Sequence, residues 1–212
     1  MSTTAETNFQ PLGVMILGAG ASSRMGRPKL LLPWGKTSII GHLLDQWRRL
    51  GAAQMAVVCR PGDRELNAEL DRLGFPPQDR IENPQPERGM FSSILHAANW
   101  DGWKEGLVTW AIVLGDQPHL HPGTLRSLLA SHREHADAIC QPVYDGHARH
   151  PVLLPRRALE ELKDSPEKTL KDFLKRTSCP LVKRSIADSG LALDLDRPED
   201  YEKAVKSHSG NL

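Results

Sequence analysis

The sequence predicts an α/β fold, a three-layer α/β/α sandwich around a mostly parallel but mixed sheet. Short continuous apolar runs alternate along the chain with longer segments whose apolar residues recur at helical spacing. Runs of that kind are typical of strands buried on both faces, and parallel strands need crossover helices to cover them. The composition agrees, because the 212 residues are 39% hydrophobic and 25% charged, as expected for a globular domain.

The first half of the chain predicts three strands, each ending in a loop. The apolar run at 14–17 stops at a glycine-rich loop, and the run at 55–59 follows a helix that ends before Gly51. Gly74 ends a second helix in the same way. The predicted elements are a strand at 14–17, a helix at 38–50, a strand at 55–59, helices at 64–73 and 92–100, and a strand at 110–114.

The second half predicts a hairpin and the end of the domain. Two apolar runs flank a polar turn within 138–154, which predicts that an antiparallel strand joins the sheet. We expect a single domain at 12–207, between a flexible N-terminal tail at 1–11 and a C-terminal tail at 208–212. The predicted elements are a helix at 124–135, strands at 138–143 and 151–154, helices at 158–162 and 169–176, strands at 181–186 and 191–195, and a closing helix at 198–206.

Charge and cysteine usage exclude several classes of protein. The 27 Lys and Arg residues nearly balance the 26 Asp and Glu residues, so the net charge of +1 argues against nucleic-acid and polybasic membrane partners. The longest nearly apolar run, 107–114, is too short to cross a bilayer, and the polar N-terminus lacks the pattern of a signal peptide. Cys59, Cys140 and Cys179 form no CxxC pair, which favours a reduced, cytoplasmic protein without a disulfide framework or zinc knuckle.

The loop after the first strand is the strongest candidate for a binding site. In an open parallel sheet, ligands bind at the carboxyl ends of the strands. Glycines let backbone N–H groups approach an anion, and serine hydroxyls and nearby cations add further donors. The loop therefore suits a polyphosphate, while a glycine turn with solvated cations is the alternative that the loop alone leaves open. The residues concerned are Gly18, Ala19, Gly20, Ser22, Ser23, Arg24, Arg27 and Lys29.

Two common phosphate-binding motifs do not fit this loop. A Walker A motif ending in Gly35-Lys36-Thr37 would need its first glycine where Leu30 stands. A Rossmann fingerprint would need a glycine or alanine in place of Ser23, and an acid in place of Arg60 after the second strand. Arg60 keeps an NADP-binding oxidoreductase open as an alternative from a different class of protein.

The sequence LGAGASSRMGRPKLLLP, which begins at Leu17, resembles the signature of the MobA/MocA-like nucleotidyltransferases. These enzymes belong to the wider nucleoside-diphosphate-sugar transferase family. Four later segments also resemble the family and follow in the expected order. The resemblance covers nearly the whole chain, and it implies a single three-layer α/β/α domain with a largely parallel sheet. The four segments are GMFSS at 89–93, GDQP at 115–118, HPV at 150–152 and DLDRPED at 194–200.

Within this family, the chain looks most like the molybdenum cofactor cytidylyltransferase branch. Ala19 before Gly20, and Gly89-Met90 followed by two serines, are similar to that branch. The resemblance implies an Mg²⁺-dependent enzyme that transfers CMP from CTP to the phosphate of molybdenum cofactor (molybdopterin) and releases pyrophosphate. It also implies a molybdoenzyme as a candidate partner that receives the product.

Three departures from the family pattern concern the second substrate more than the reaction. Gly18 replaces an alanine, Arg149 replaces a glycine, and Arg197 replaces a threonine. A GTP-using or sugar-phosphate nucleotidyltransferase of the same fold therefore stays open as an alternative. A non-catalytic protein that delivers the finished cofactor also stays open.

The resemblance implies roles for individual residues. Lys29, Arg24 and Asp116 are the candidate catalytic residues: Arg24 would bind the β- and γ-phosphates, and Lys29 would offset charge at the α-phosphate. Asp116 and Asp196 are the candidate Mg²⁺ ligands, with Asp194 as the alternative to Asp196. The candidate nucleotide-binding residues are Leu17, Gly18, Ala19, Gly20, Ser22, Ser23, Arg24, Lys29, Gly89, Met90, Ser92 and Ser93.

Some of these residues also have a simpler structural explanation. Taken alone, Asp116 fits a turn-forming aspartate as well as a metal ligand. Ser92 and Ser93 could cap the helix that they open. His150, in the HPV segment, is the candidate for the second-substrate pocket, and Trp34 is a candidate for the pocket wall.

Overall fold

The computed structural model describes residues 11–20, 22 and 24–209, and the predicted α/β fold is confirmed. Within those residues the chain forms ten strands and seven α-helices. The strands are β1 (Leu12–Leu17), β2 (Pro33–Trp34), β3 (Thr37–Ser38), β4 (Ala52–Cys59), β5 (Arg80–Glu82), β6 (Thr109–Leu114), β7 (Ile139–Tyr144), β8 (His147–Ala148), β9 (Val152–Pro155) and β10 (Leu181–Ser185). The helices are α1 (Ile39–Arg49), α2 (Arg64–Arg72), α3 (Met90–Ala98), α4 (Pro122–Glu134), α5 (Arg156–Lys163), α6 (Leu170–Arg176) and α7 (Pro198–Ser209).

One eight-stranded sheet forms the middle layer. Its order is β10-β7-β9-β6-β1-β4-β5, with β8 paired to β7, while β2 and β3 form a separate ribbon. β1 pairs in parallel with both β4 and β6, whereas β9 is antiparallel to its neighbours β6 and β7. The hairpin predicted at 138–154 therefore adds an antiparallel strand, and the sheet is mixed as predicted.

Helices cover both faces of this sheet. Val14 and Ile16 of β1 pack into the core beside α1, α2, α4 and α7, whereas Met15 packs on the other face beside α3, α5 and α6. All three side chains are fully buried. Because successive side chains of a strand point to opposite faces, β1 is a central strand covered on both sides, which is why its sequence is continuously apolar.

Local hydrogen bonds set where the first two helices begin. At the start of α1, the Ser38 hydroxyl accepts a hydrogen bond from the N–H of Gly41 at 3.2 Å. At the start of α2, the Asp63 carboxylate accepts one from the N–H of Leu66 at 3.1 Å. Each cap satisfies a backbone donor that the first helical turn leaves free, so each helix starts at a defined residue.

The register of the central strands brings their carboxyl ends level. Leu17 of β1 is paired with Val58 of β4 on one side and with Leu114 of β6 on the other. The loops that follow these three strands therefore open side by side at one edge of the sheet. Ligands of open parallel sheets bind at such an edge.

One predicted strand is absent, and the shortest strands, β2, β3, β5 and β8, were not predicted. Residues 191–195 form no strand; Ser189–Ala192 is instead a 3₁₀ turn. The Asp188 carboxylate closes this turn by accepting a hydrogen bond from the N–H of Gly190 at 2.9 Å. β5 was missed, because three residues are too few to show a periodic pattern.

The ends of the chain are described in part. Residues 1–10 and 210–212, which make up most of the predicted tails, lie outside the described residues. Helix α7 continues to Ser209, beyond the predicted end of the closing helix at 206. Across the part of the chain that the structure describes, every helix is too short or too polar to span a bilayer.

The three cysteines are buried as free thiols. Burial raises the pKa of the Cys59 thiol to about 12 and that of the Cys140 thiol to about 11. Both therefore stay protonated at neutral pH, which makes them poor nucleophiles and poor metal ligands.

Candidate active site

A cleft of about 410 Å³ lies at the carboxyl ends of β1, β4 and β6. Most of the predicted nucleotide-binding residues line it, but Arg24 and Ser92 do not, and Ser23 lies outside the described residues. Trp34 is also absent from the wall, because it is only 2% exposed and packs in the core near Tyr201. The predicted residues that line the cleft are Leu17, Gly18, Ala19, Gly20, Ser22, Lys29, Gly89, Met90, Ser93 and Asp116.

Two glycines let the strand ends approach one another under this cleft. The N–H of Gly115 donates to the carbonyl oxygen of Leu17 at 3.2 Å, and a Cβ on Gly115 would lie 2.8 Å from that oxygen. The N–H of Gly18 donates to the carbonyl oxygen of Val58 at 2.8 Å, and a Cβ there would lie 3.0 Å from it. Any larger residue at either position would force neighbouring strand ends apart.

Lys29 lies between two aspartates on the floor of the cleft. Its Nζ is 3.2 Å from Oδ2 of Asp116 and 2.9 Å from Oδ1 of Asp196. The side chains of Lys29 and Asp116 are only 16% and 24% exposed. Burial lowers the pKa of Lys29, but the two carboxylates outweigh it and hold the pKa above its usual value. Lys29 is therefore a permanent positive charge in a partly dry environment.

Asp196 receives a second cation from the glycine loop. Nη1 of Arg24 is 2.6 Å from Oδ2 of Asp196, and both side chains are well exposed. The hydrogen bond from Lys29, together with its charge and that of Arg24, lowers the pKa of Asp196 despite partial burial. Arg24 thus stands at the mouth of the site rather than within the cleft wall.

Asp194 occupies a different environment from Asp196. Its Oδ1 accepts a hydrogen bond from Nε2 of Gln117 at 2.9 Å, and burial, followed by the charge of Asp116, raises its pKa. Asp196 instead contacts Lys29 and Arg24. Asp196, and not Asp194, therefore contacts the lysine that also contacts Asp116, although the expected strand at 191–195 does not exist.

The two carboxylates suit a hard divalent cation. Oδ1 of Asp116 is buried and has no hydrogen-bond partner among the described residues, so it is free to act as a ligand. Within the same residues, no group of three or more His, Cys, Asp and Glu side chains could hold a metal. A resident protein-only metal cage is therefore not found there, whereas one or two carboxylates that complete their shell with substrate phosphates are typical of Mg²⁺ sites.

The start of α3 differs from the prediction. The helix begins at Met90 with Gly89 at its N-cap position, where φ is +89°, and no side chain caps it. Ser92 donates its hydroxyl hydrogen back to the carbonyl oxygen of Gly89 at 2.8 Å, so it does not act as an N-cap. Sequence reasoning missed Asn83, whose buried side chain contacts both Ser92 and Ser93. No local sequence pattern pointed to it, because it directly follows β5, which was also missed.

His150 lies beside the acidic residues but outside the cleft wall. It precedes β9, whose first residue Val152 pairs with Ile112 of β6, so His150 stands near the end of β6 where Asp116 follows. Desolvation lowers the pKa of His150 to about 4, even though the nearby charge of Asp116 raises it, so the imidazole is neutral at pH 7. Its Nδ1 is buried without a partner in the described part of the chain. The ring also has a backbone hydrogen bond with Ile112, which uses the single N–H of the neutral imidazole, so the free Nδ1 can accept a hydrogen bond from a ligand.

The fold and this site together define a class of protein. A glycine turn, a partly buried lysine and two aspartates meet at the carboxyl ends of central parallel strands, as in nucleotidyltransferases that bind a nucleoside triphosphate. The chain belongs to the MobA-like NTP transferase family, whose domain model matches residues 14–181.

Curated relatives support the same class. A probable molybdenum cofactor guanylyltransferase from Carboxydothermus hydrogenoformans is 26% identical over 210 residues, which cover 95% of this chain and 98% of the relative. The bifunctional protein GlmU from Leifsonia xyli subsp. xyli is 35% identical over 130 residues, 58% of this chain. The match covers only 25% of that GlmU, so the chain corresponds to a quarter of its length.

Solved structures share the fold. The Rv0371c protein from Mycobacterium tuberculosis H37Rv superposes with a TM-score of 0.72 at 24% identity, covering 93% of this chain and 98% of the other. A manganese complex of the same protein superposes with a TM-score of 0.70 at 23% identity. At these identities the likeness supports the fold alone.

Proposed function

We propose that this enzyme transfers a nucleoside monophosphate from a nucleoside triphosphate to the terminal phosphate of a molybdopterin-type acceptor. The observation that carries the proposal is the contact of Lys29 with both Asp116 and Asp196 beneath a glycine-lined cleft. In the reaction, an acceptor phosphate oxygen bonds to the α-phosphorus, and the bond from that phosphorus to pyrophosphate breaks. A phosphate monoester is largely ionised near pH 7, so the acceptor needs no strong general base.

The residues of the chain position the substrates and balance their charge. The N–H groups of Ala19 and Gly20 would contact the polyphosphate, and Arg24 at the mouth would bind its β- and γ-phosphates. Lys29 offsets the charge that develops at the α-phosphate, where a fixed cation in a partly dry site acts strongly. Asp116 and Asp196 would hold Mg²⁺, which when bound neutralises phosphate charge.

For the nucleotide we propose CTP. The choice depends on Ala19 and on the segment from Gly89 to Ser93, whose residues Met90 and Ser93 line the cleft beside Ala19. The full-length curated relative is a probable guanylyltransferase, which makes GTP the competing substrate. His150, neutral and adjacent to Asp116, is our candidate contact to the acceptor. The reduced cysteines support a cytoplasmic location, with a molybdoenzyme as recipient of the product.

Pyrophosphate release tests the proposal directly. The purified chain is mixed with Mg²⁺ and each of the four ribonucleoside triphosphates, with and without molybdopterin, and with a sugar 1-phosphate as the control acceptor. We expect release only with molybdopterin, and faster with CTP than with GTP. A higher rate with GTP overturns the choice of CTP, and release with the sugar phosphate alone overturns the acceptor. Binding of finished cofactor with no release from any pair favours a delivery protein.

A further inference from the structure

Asn83 is a buried side chain that contacts the wall of the cleft from behind. It is fully buried, with 0% of its surface exposed, and its backbone N–H donates to the carbonyl oxygen of Cys59 at the end of β4. Its side-chain Nδ2 lies 2.8 Å from the hydroxyl oxygen of Ser92 and 2.9 Å from that of Ser93. One residue therefore joins β4 to the start of α3.

The orientation of the Asn83 amide follows from its third contact. Its Oδ1 lies 2.9 Å from the backbone nitrogen of Gln85. A backbone N–H can only donate, so the atom that faces Gln85 must be the amide oxygen, and the NH₂ group must face the two serines. Both amide hydrogens are then used, one for each serine, and both serine oxygens act as acceptors.

The two serines differ in whether their hydroxyl hydrogen has an acceptor. Ser92 has carbonyl acceptors within reach, at 2.8 Å on Gly89 and 3.0 Å on Gln85, so its hydrogen is used inside the loop. Ser93 lines the cleft, and its hydroxyl hydrogen has no acceptor among the residues that the structure describes. Because Asn83 already donates to Ser93, the hydroxyl of Ser93 is left as a donor to whatever occupies the cleft.

The neighbours of Ser93 indicate which part of a nucleotide reaches it. Met90, which is 44% exposed, and Glu87 line the cleft near Ser93. A carboxylate disfavours phosphate there, and an exposed methionine suits the apolar face of a base. Lys29, on the opposite loop, attracts the phosphates. We propose that Asn83 is a positioning residue that fixes Ser93 as a hydrogen-bond donor to an acceptor atom of the nucleobase, O2 or N3 in cytosine.

This inference rests on the proposed function only in requiring that a nucleotide binds in the cleft. Asn83→Asp provides the test, because it retains the oxygen that faces Gln85 but replaces the NH₂ group by a carboxylate oxygen. The hydroxyl of Ser93 then turns to donate to that oxygen and no longer donates to the ligand. Ser93→Ala removes the same donor without changing residue 83.

Calorimetry on the full chain with Mg²⁺ compares CTP with inorganic tripolyphosphate, a probe that lacks the base. We expect each single variant to weaken CTP binding roughly 3- to 10-fold, the usual worth of one hydrogen bond. The double variant should be no weaker than the weaker single variant, because both changes remove one donor. Tripolyphosphate binding should not change in any of them.

Gln54→Glu is the matched control. Gln54 is a buried amide whose Nε2 donates to Asp79 at 2.9 Å and to the carbonyl oxygen of Gly102 at 2.8 Å, while its Oε1 accepts from the N–H of Lys104 at 2.7 Å. Like Asn83, it donates two hydrogen bonds and accepts one from a backbone N–H, but none of its partners lines the cleft. This variant should lower thermal stability and leave both affinities unchanged.

Several results would overturn the inference. They are unchanged CTP affinity in Ser93→Ala, an equal loss for CTP and tripolyphosphate, or additive losses in the double variant. If Asn83→Asp does not fold, Ser93→Ala with the two probes still decides whether the donor acts on the base. Wild-type protein that binds CTP without releasing pyrophosphate contradicts the proposed transferase alone, whereas wild-type protein that binds no nucleotide contradicts both.

Discussion

The backbone N–H of Leu195 donates a hydrogen bond to the carbonyl oxygen of Asp116 at 3.3 Å. This contact joins the turn after β6 to the loop before α7, and Asp196 follows one residue beyond it. Two aspartates that are far apart in the sequence are thereby held close enough for Lys29 to contact both. Because a backbone hydrogen bond sets the spacing of the two carboxylates, substitutions of these side chains should lower turnover more than they lower the stability of the fold.

Asp116→Asn should abolish pyrophosphate release while metal-free nucleotide binding stays intact or improves slightly. The reason is that asparagine keeps the turn but loses the charge that would hold Mg²⁺. A pyrophosphate-release assay with Mg²⁺ measures turnover, and calorimetry in EDTA measures metal-free nucleotide binding.

Asp63→Asn is the control for this substitution. Asp63 acts through its cap on Leu66, and asparagine caps helices about as well as aspartate. We therefore expect it to retain stability and turnover. Near-normal Mg²⁺-dependent release by Asp116→Asn would show that Asp116 is only a turn former.

Lys29→Ala and Arg24→Ala should affect different kinetic constants. Lys29 is buried between carboxylates, so its loss should lower kcat on the order of 10²-fold or more, as for loss of one preorganised donor. Arg24 is exposed at the mouth, so its loss should raise the KM for the nucleotide more than it lowers kcat.

Arg27→Ala removes a cation from the same loop without touching either aspartate. Its guanidinium lies over the ring of Tyr201, 5.9 Å from the ring centre. Steady-state kinetics should show a smaller effect on kcat than for Lys29→Ala. Wild-type turnover by Lys29→Ala at saturating nucleotide would contradict the role given to Lys29.

Gly115→Ala should destabilise the protein by about 1–3 kcal/mol, the usual cost of overpacking. The added Cβ would lie 2.8 Å from the carbonyl oxygen of Leu17 and equally close to the side chain of Leu30. Gly20→Ala is the control, because no atom of the described residues lies within 4 Å of a Cβ there. Urea unfolding compares the two variants, and equal stability would mean that the strand ends are not tightly packed.

Stability should fall below about pH 6.5, and His132 contributes to this fall together with His150. The ring of His132 is buried beside Thr109, with Nε2 2.9 Å from the hydroxyl oxygen, and burial lowers its pKa from the ordinary value of 6.5. The unfolded chain therefore binds a proton more readily than the folded one, and acid favours unfolding. Urea unfolding from pH 5 to 8 should show a weaker pH dependence for His132→Gln than for the wild type. Identical profiles would contradict this assignment.

The parts of the fold that the sequence predicted are those with strong local patterns. β1, β4 and β6 are continuous apolar runs that end at glycine or polar loops, and their order along the chain implied a shared ligand edge. The alternation of leucines at 191–195 led to the wrong prediction of a strand. Leu191 and Leu195 are buried, but they lie in a 3₁₀ turn and a loop and not in a sheet. Burial alone produces such a pattern, so periodicity does not distinguish the two structures.

The site was predictable where a residue acts through its own chemistry. Lys29, Asp116 and Asp196 carry charges that a phosphate site needs, and the structure places them in contact. Asn83 was not predictable, because its place depends on the short strand β5 and on hydrogen bonds to residues that are distant in space until the chain folds. The capping role considered for Ser92 was wrong because the helix begins two residues earlier than predicted, which places Ser92 inside its first turn.

The reversed direction of β9 lets one border of the site vary independently of the other. Because β9 runs against β6, the segment that precedes β9, and not a crossover helix, comes near Asp116, and it is reached through the loop of the β7–β8 hairpin. Loops of this kind tolerate changes in length, since doubling a flexible loop costs only about 0.6 kcal/mol. The glycine-loop side is built into crowded strand ends that accept little change. If the proposed function is right, such a scaffold can change its acceptor over evolutionary time while the glycine-loop side stays the same.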